Sequence, residues 1–209
     1  MAAVPQSFAH TQLPLENGDE LTLDQFEDRY AQHPEIKKAE LIEGAVYVAS
    51  PVSNEHGEPH FSLRIWLGLY CLERSDVIGG DNTSLRLPPS TMLQPDLYLR
   101  KVSGTARIGD KGYMESAPEL VAEISGTRAS YDLHSKMEIY RRAGVQEYIV
   151  WRVYDEAIDW FELREGRYER MEADDRGVIS SKVFPGLRLD VAKMLAGDLA
   201  GVRAEQQRE

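Results

Sequence analysis

Cysteine is nearly missing from this 209-residue chain, with Cys71 the only one. Its scarcity excludes an internal disulfide framework and any zinc site built from several thiolates, and it fits a reducing compartment. Cys71 lies between Tyr70 and Leu72 and reads as a core thiol. No run approaches the roughly 18 apolar residues of a membrane span. The start Met1-Ala2-Ala3-Val4-Pro5-Gln6 has neither the basic nor the apolar region of a secretion signal. A cytoplasmic protein with no membrane partner is expected. Basic residues are also in deficit, 24 Lys and Arg against 35 Asp and Glu for a formal net charge of −11. Generic adhesion to nucleic acid is disfavoured by that balance, because phosphates are repelled at long range. GxGxxG, P-loop, GxSxG and HExxH patterns are absent, which removes the common signatures of dinucleotide, nucleoside-triphosphate, serine-hydrolase and zinc-protease chemistry.

The length suits one sizeable domain. The expected plan is a loose arm over 1–20, a single domain over 21–200 and a frayed tail over 201–209. Thr22-Leu23-Asp24-Gln25 resembles a capping box that opens a helix to about Gln32. Residues 39–48 read as a β-hairpin turning at Glu43-Gly44. Phe61, Ile65, Leu69 and Leu72, spaced by four, four and three, predict an amphipathic helix over about 54–74. Gly79-Gly80-Asp81-Asn82 reads as a turn, and 83–87 as a short strand. Strands are predicted at about 93–100 and 119–125, joined by a long polar loop carrying Gly104, Gly109 and Gly112. A helix over 132–143 ends at Gly144, and an apolar strand follows at 147–153. A second hairpin turns at Glu165-Gly166, and a short helix lies near 190–197. Strands mixed with helices in this order mean an α/β (mixed α+β) fold, a central sheet covered by helices.

The charge is uneven. Residues 100–152 hold nine Lys and Arg and seven Asp and Glu, so this segment alone is not acidic. It is flanked and occupied by two strand-like runs, Gln94-Pro95-Asp96-Leu97-Tyr98-Leu99 and Leu120-Val121-Ala122-Glu123-Ile124-Ser125, each with one carboxylate among apolar residues. Side chains alternate between the faces of a strand, so Asp96 and Glu123 on adjacent strands can reach one cation. Mg²⁺ and Mn²⁺ take hard oxygen ligands, one or two carboxylates with water and phosphate completing the shell. Glu123 in a buried run is costly without a role or a partner. Asp96 after Pro95 also reads as an ordinary turn residue. Lys136 lies four residues after Asp132, a spacing that alone reads as a surface ion pair. His56 and His60 share that spacing, which could hold zinc, although Pro59 intervenes.

Several fragments fall in a recognisable order: Glu40-Leu41-Ile42-Glu43-Gly44, Ser50-Pro51, His56, Gln94-Pro95-Asp96, Val121-Ala122-Glu123-Ile124-Ser125, Asp132-x-x-x-Lys136 and Ala143-Gly144-Val145-Gln146-Glu147-Tyr148. The ordered set, over roughly residues 20–190, resembles the Uma-two family of restriction-endonuclease-like proteins, assigned to the PD-(D/E)XK nuclease superfamily. The resemblance implies a restriction-endonuclease-like core, a mixed central β-sheet flanked by helices, here with extra N-terminal and C-terminal β-hairpins. It implies metal ligation by Asp96 and Glu123. The superfamily lysine would stand two residues after the acid, where this chain has Ser125, and the family pattern points to Lys136 from the following helix instead. A lysine's long stem can bring its ammonium to one place from either element. Gly126-Thr127 and His56-Gly57 are further departures from the family pattern. The expected function is Mg²⁺- or Mn²⁺-dependent hydrolysis of DNA phosphodiester bonds by a homodimer, with Glu40, His56 and Ser125 in supporting catalytic roles. The alternatives are a non-catalytic interaction module that keeps the fold, and a hydrolase of RNA or another phosphoester.

Overall fold

Local sequence chemistry sets most element boundaries in the computed structural model, which describes residues 13–126 and 130–208. Residues 1–12, most of the expected N-terminal arm, and residues 127–129 lie outside the described residues. Two compact units are present. One comprises the described residues up to 50 together with 88–93, and the other comprises residues 51–87 and those from 94 onward.

In the first unit, α1 (Leu23–Gln32) begins at the expected capping box. Thr22 Oγ1 accepts the Gln25 N–H at 3.3 Å, and the Gln25 side chain accepts the Thr22 N–H at 2.9 Å. Strands β1 (Ala39–Ile42) and β2 (Ala45–Val48) form the expected antiparallel hairpin. Its turn needs positive φ at both central positions, and Glu43 (φ 51°) and Gly44 (φ 96°) supply it.

The second unit opens with α2 (Asn54–Leu72), then β3 (Val77–Asp81) and β4 (Leu85–Leu87). Strand β5 (Thr91–Leu93) belongs to the first unit, where Met92 pairs with Leu41 of β1. The second unit continues with β6 (Leu97–Lys101), β7 (Leu120–Ser125), α3 (Ser130–Ala143) and β8 (Glu147–Arg152). Strands β9 (Ala157–Arg164) and β10 (Arg167–Arg170) form the second expected hairpin, and β11 (Val178–Ser180) pairs with β12 (Arg188–Asp190). Helices α4 (Val191–Leu195) and α5 (Leu199–Gln206) close the chain.

The central sheet has the order β10-β9-β8-β7-β6-β3. It is mixed. Strands β7 and β8 run parallel, joined by the α3 crossover, and the other neighbours are antiparallel. One face carries Leu97, Leu99, Leu120, Ala122 and Ile124, packed under Leu63, Trp66, Leu67 and Tyr70 of α2. The other face carries Val121, Glu123, Tyr148 and Val150, with the Tyr140 ring of α3 tilted against Tyr148 at 5.5 Å between ring centroids. Among the described residues, no helix is long and apolar enough to cross a membrane.

Three local expectations give way. Residues Gly79–Asp81 are not a turn but three of the five residues of edge strand β3, paired with β6. The glycines are there for space, because a Cβ on Gly80 would lie 2.5 Å from Tyr98 Cζ and one on Gly79 3.2 Å from Leu99 Cδ2. The buried stripe of α2 is Leu63, Trp66, Leu67 and Tyr70, whereas Phe61 is 61% and Leu72 83% exposed. Both stripes satisfy helical spacing, and the one bearing the bulkier aromatics is the one buried. Finally, the expected frayed end is helix α5 through Gln206. Asp198 caps it by accepting the Gly201 N–H at 2.9 Å, and Val202 and Glu205 are buried.

Candidate active site

The β6–β7 register decides how the two acids meet. Leu97 pairs with Ala122 across the antiparallel ladder. Carrying that register one residue further sets Asp96 opposite Glu123, and directly opposed residues share a face. Asp96 and Glu123 are both buried, at 2% and 7% exposure.

Asp96 stands just before β6. Its Oδ2 accepts the Ile124 N–H at 2.9 Å, so the carboxylate is tied to the strand that carries Glu123. His56 Nε2 lies 3.2 Å from the same oxygen, and His60 Nε2 lies 3.1 Å from the Asp96 carbonyl oxygen. Both oxygens are acceptors, so each Nε2 is the protonated, donating nitrogen. The i,i+4 spacing on α2 stacks the two rings at 6.0 Å, one on the side chain and one on the backbone of Asp96. The Asn82 N–H also donates to the Pro95 and Asp96 carbonyls, at 3.1 and 3.3 Å.

Glu123 is held from α3. Its Oε1 accepts the Tyr140 hydroxyl at 2.7 Å and the Lys136 ammonium at 3.4 Å. Lys136 and Tyr140 are one turn apart on one helix face, and both are buried. The Tyr148 hydroxyl registers the same neighbourhood. Burial pushes its pKa well above the usual tyrosine range; the Glu123 carboxylate, and Asp96 more weakly, push the same way, while Lys136 opposes. One hydroxyl thus feels both acids and the ammonium.

The residues singled out in the sequence are distributed as follows. Asp96 with His56, and Glu123 with Lys136, are direct contacts. Ser125 ends β7, buried, opposite Arg152 in the parallel register. Glu40 is buried in the first unit, opposite Tyr47 in the β1–β2 hairpin. The expected Asp132–Lys136 pair lies outside the described side chains. His60 and Tyr140 are additional. His60 was visible only as the second member of a histidine pair, and that pair donates to Asp96 instead of forming a zinc half-site. Tyr140 carried a fainter signal, four residues beyond Lys136 on one helix.

Two buried carboxylates are a hard-oxygen donor set that fits Mg²⁺ or Mn²⁺, which are held by one or two carboxylates with water and substrate oxygens. They do not fit a cage made of protein ligands alone. Among the described residues, no three or more His, Cys, Asp or Glu side chains group to hold a metal ion.

Comparison with known proteins agrees with this architecture. No curated protein matches the chain in sequence. A crystal structure from Anabaena variabilis, of a protein described as "a putative nuclease belonging to DUF820", aligns with a TM-score of 0.67 at 15% identity, covering 84% of this chain and 98% of that one. At that identity the likeness is one of fold. The family described as "Uma2: Putative restriction endonuclease" matches residues 23–192, most of the chain, and the protein therefore belongs to the Uma2 family.

Proposed function

We propose that the protein is a Mg²⁺- or Mn²⁺-dependent endonuclease that hydrolyses DNA phosphodiester bonds in the cytoplasm as a homodimer. Family membership supports a nuclease-type reaction. The observation that carries the reading is the β6–β7 register, which opposes Asp96 and Glu123 while Lys136 Nζ lies 3.4 Å from Glu123 Oε1. Two acids at neighbouring strand ends, with an ammonium reaching them from α3, suit metal-assisted phosphodiester hydrolysis.

Asp96 and Glu123 would hold the cation, which supplies charge neutralisation at the scissile phosphate and acidifies water. The remaining work falls to the chain. Lys136 brings a buried positive charge to the place where negative charge builds on the phosphoryl oxygens. Tyr140 fixes the Glu123 carboxylate through its 2.7 Å hydrogen bond. The Ile124 N–H and His56 fix Asp96 Oδ2, so both acids are oriented before substrate arrives. Ser125, at the end of β7, is assigned a supporting role. Ser125 stands where the superfamily carries its lysine, and the ammonium then comes from α3.

The test is cleavage of supercoiled DNA by purified protein with Mg²⁺ or Mn²⁺. Wild type is expected to nick or linearise it, and Asp96→Ala, Glu123→Ala and Lys136→Met to lose at least a hundredfold in rate with unchanged circular dichroism. Equal cleavage by wild type and variants would remove the assignment. Cleavage of RNA in preference to DNA would correct the substrate and keep the site.

A further inference from the structure

Asp96 is held by its main chain as well as by its carboxylate. The β6–β7 pairing runs from Leu97–Ala122 to Leu99–Leu120, so Asp96 stands one residue before it. Pro95, just ahead, has no N–H with which to extend a ladder. Regular β6–β7 bonding therefore stops short of the acid, and its peptide is fixed from other elements. Two donors reach the Asp96 carbonyl oxygen. The Asn82 N–H comes from the end of β3 at 3.3 Å, and it is shared with the Pro95 carbonyl at 3.1 Å. His60 Nε2 comes from α2 at 3.1 Å, the shorter contact on the Asp96 oxygen. The His60 ring also lies against His56, 6.0 Å between centroids, and His56 is the residue bonded to Asp96 Oδ2. His60 thus acts on the main chain of the acid directly and on its side chain through a neighbouring ring.

We propose that His60 is a positioning residue for the metal site: by holding the Asp96 carbonyl it fixes the peptide that carries the carboxylate, and so sets the affinity of Asp96 and Glu123 for Mg²⁺ or Mn²⁺. This role rests on the metal-binding reading given above. An aspartate side chain is short, so the place of its Cα and the plane of the next peptide decide where its oxygens lie. Releasing the carbonyl lets the chain around Asp96 shift relative to β7, which carries Glu123. Mg²⁺ tolerates little of this, because it requires near-ideal octahedral geometry at about 2.0–2.1 Å from each oxygen. Groups that orient a ligand from behind typically account for about 10–100-fold in metal affinity. His60 acts on the ligand from behind, through a hydrogen bond to its backbone. A tie that served only the fold would change stability and leave the affinity of the folded protein for the ion unaltered.

Titration of the full chain with Mn²⁺ alone, followed by calorimetry and by loss of the free-ion electron paramagnetic resonance signal, tests this. Wild type is expected to bind the ion and Asp96→Ala to lose it. His60→Leu should weaken the Kd for Mn²⁺ by about 10–100-fold with unchanged circular dichroism. His60→Gln keeps an N–H donor at similar reach and should bind within a few-fold of wild type. His60→Asn is a carbon shorter, should behave as His60→Leu, and takes its place if His60→Leu does not fold. An unchanged Kd in these two variants, even with a lowered urea midpoint, would make His60 a structural tie and overturn the inference while leaving the Asp96–Glu123 site standing. His60→Gln binding as weakly as His60→Leu would show that the ring acts and not the donated hydrogen bond, and would overturn it as well. Wild type that binds no Mn²⁺, or binds it equally after Asp96→Ala, would overturn the metal site itself and this role with it.

Discussion

Replacing Lys136 by methionine leaves the Glu123 carboxylate in the interior with its charge uncompensated by the ammonium that stands 3.4 Å from Oε1. The two side chains are only 11% and 9% exposed, so water cannot take the ammonium's place. Removing one member of a buried pair costs about 3–5 kcal/mol, because the other charge stays desolvated. Tyr140 keeps its hydrogen bond to Oε1, which places the expected loss at the lower end, about 3 kcal/mol. The double variant Lys136→Met/Glu123→Gln separates charge from packing. Its glutamine oxygen still accepts the Tyr140 hydroxyl, no charge is left stranded, and stability should return to within about 1 kcal/mol of wild type. Urea unfolding followed by the fluorescence of Trp66, Trp151 and Trp160, all in the second unit, measures both values. Both variants should fail to cleave DNA, so stability recovers while chemistry does not. A single variant that loses less than about 1 kcal/mol, or a double variant as unstable as the single, would show that the pair is not the buried charge couple derived above.

Further predictions concern the scaffold. The Glu147 carboxylate is wholly buried and accepts hydrogen bonds from the Ser181 hydroxyl at 2.8 Å and the Lys182 and Val183 N–H groups at 2.6 and 3.1 Å. Burial raises its pKa, with those hydrogen bonds pulling the other way, and the folded value stays above the ordinary one. The stabilisation from the protonated form is complete below the unfolded value of about 4.3 and is lost as pH rises through the raised folded value. The unfolding free energy of wild type relative to Glu147→Gln should therefore fall as pH rises from about 4 toward neutrality. Urea titrations across that range measure it, and a flat or rising difference contradicts the sign. Gly80→Ala should cost about 1–3 kcal/mol, because the new methyl would sit 2.5 Å from Tyr98 Cζ in a packed ring. A stability unchanged from wild type would mean that the Tyr98 ring moves aside freely.

Much of the fold was legible where one residue type has one local use. The Thr22–Gln25 capping box, the Glu43-Gly44 and Glu165-Gly166 turns, and Gly144 ending α3 at φ 84° are cases in which backbone geometry admits few residues. Where a residue type has two uses, the sequence is ambiguous. Gly79-Gly80 has the composition of a turn, yet it is an edge strand thinned to admit Tyr98 and Leu99. The stripe Phe61-Ile65-Leu69-Leu72 has perfect helical spacing, and so does Leu63-Trp66-Leu67-Tyr70, and periodicity cannot rank two faces of one helix.

For the candidate site, the sequence by itself picked out the candidates: an acid before β6, an acid inside a strand otherwise fit for burial, and a lysine on the helix that follows. It could do so because a charged group in an apolar run stands out against the cost of burying it. Only the tertiary structure decided the pairings. The β6–β7 register opposes Asp96 to Glu123, the crossover through α3 carries Lys136 and Tyr140 to Glu123, and α2 brings His56 and His60 to Asp96. Those partners lie between 13 and 40 residues apart in sequence. Strand register and the path of a crossover are collective outcomes of packing, and no local pattern encodes them.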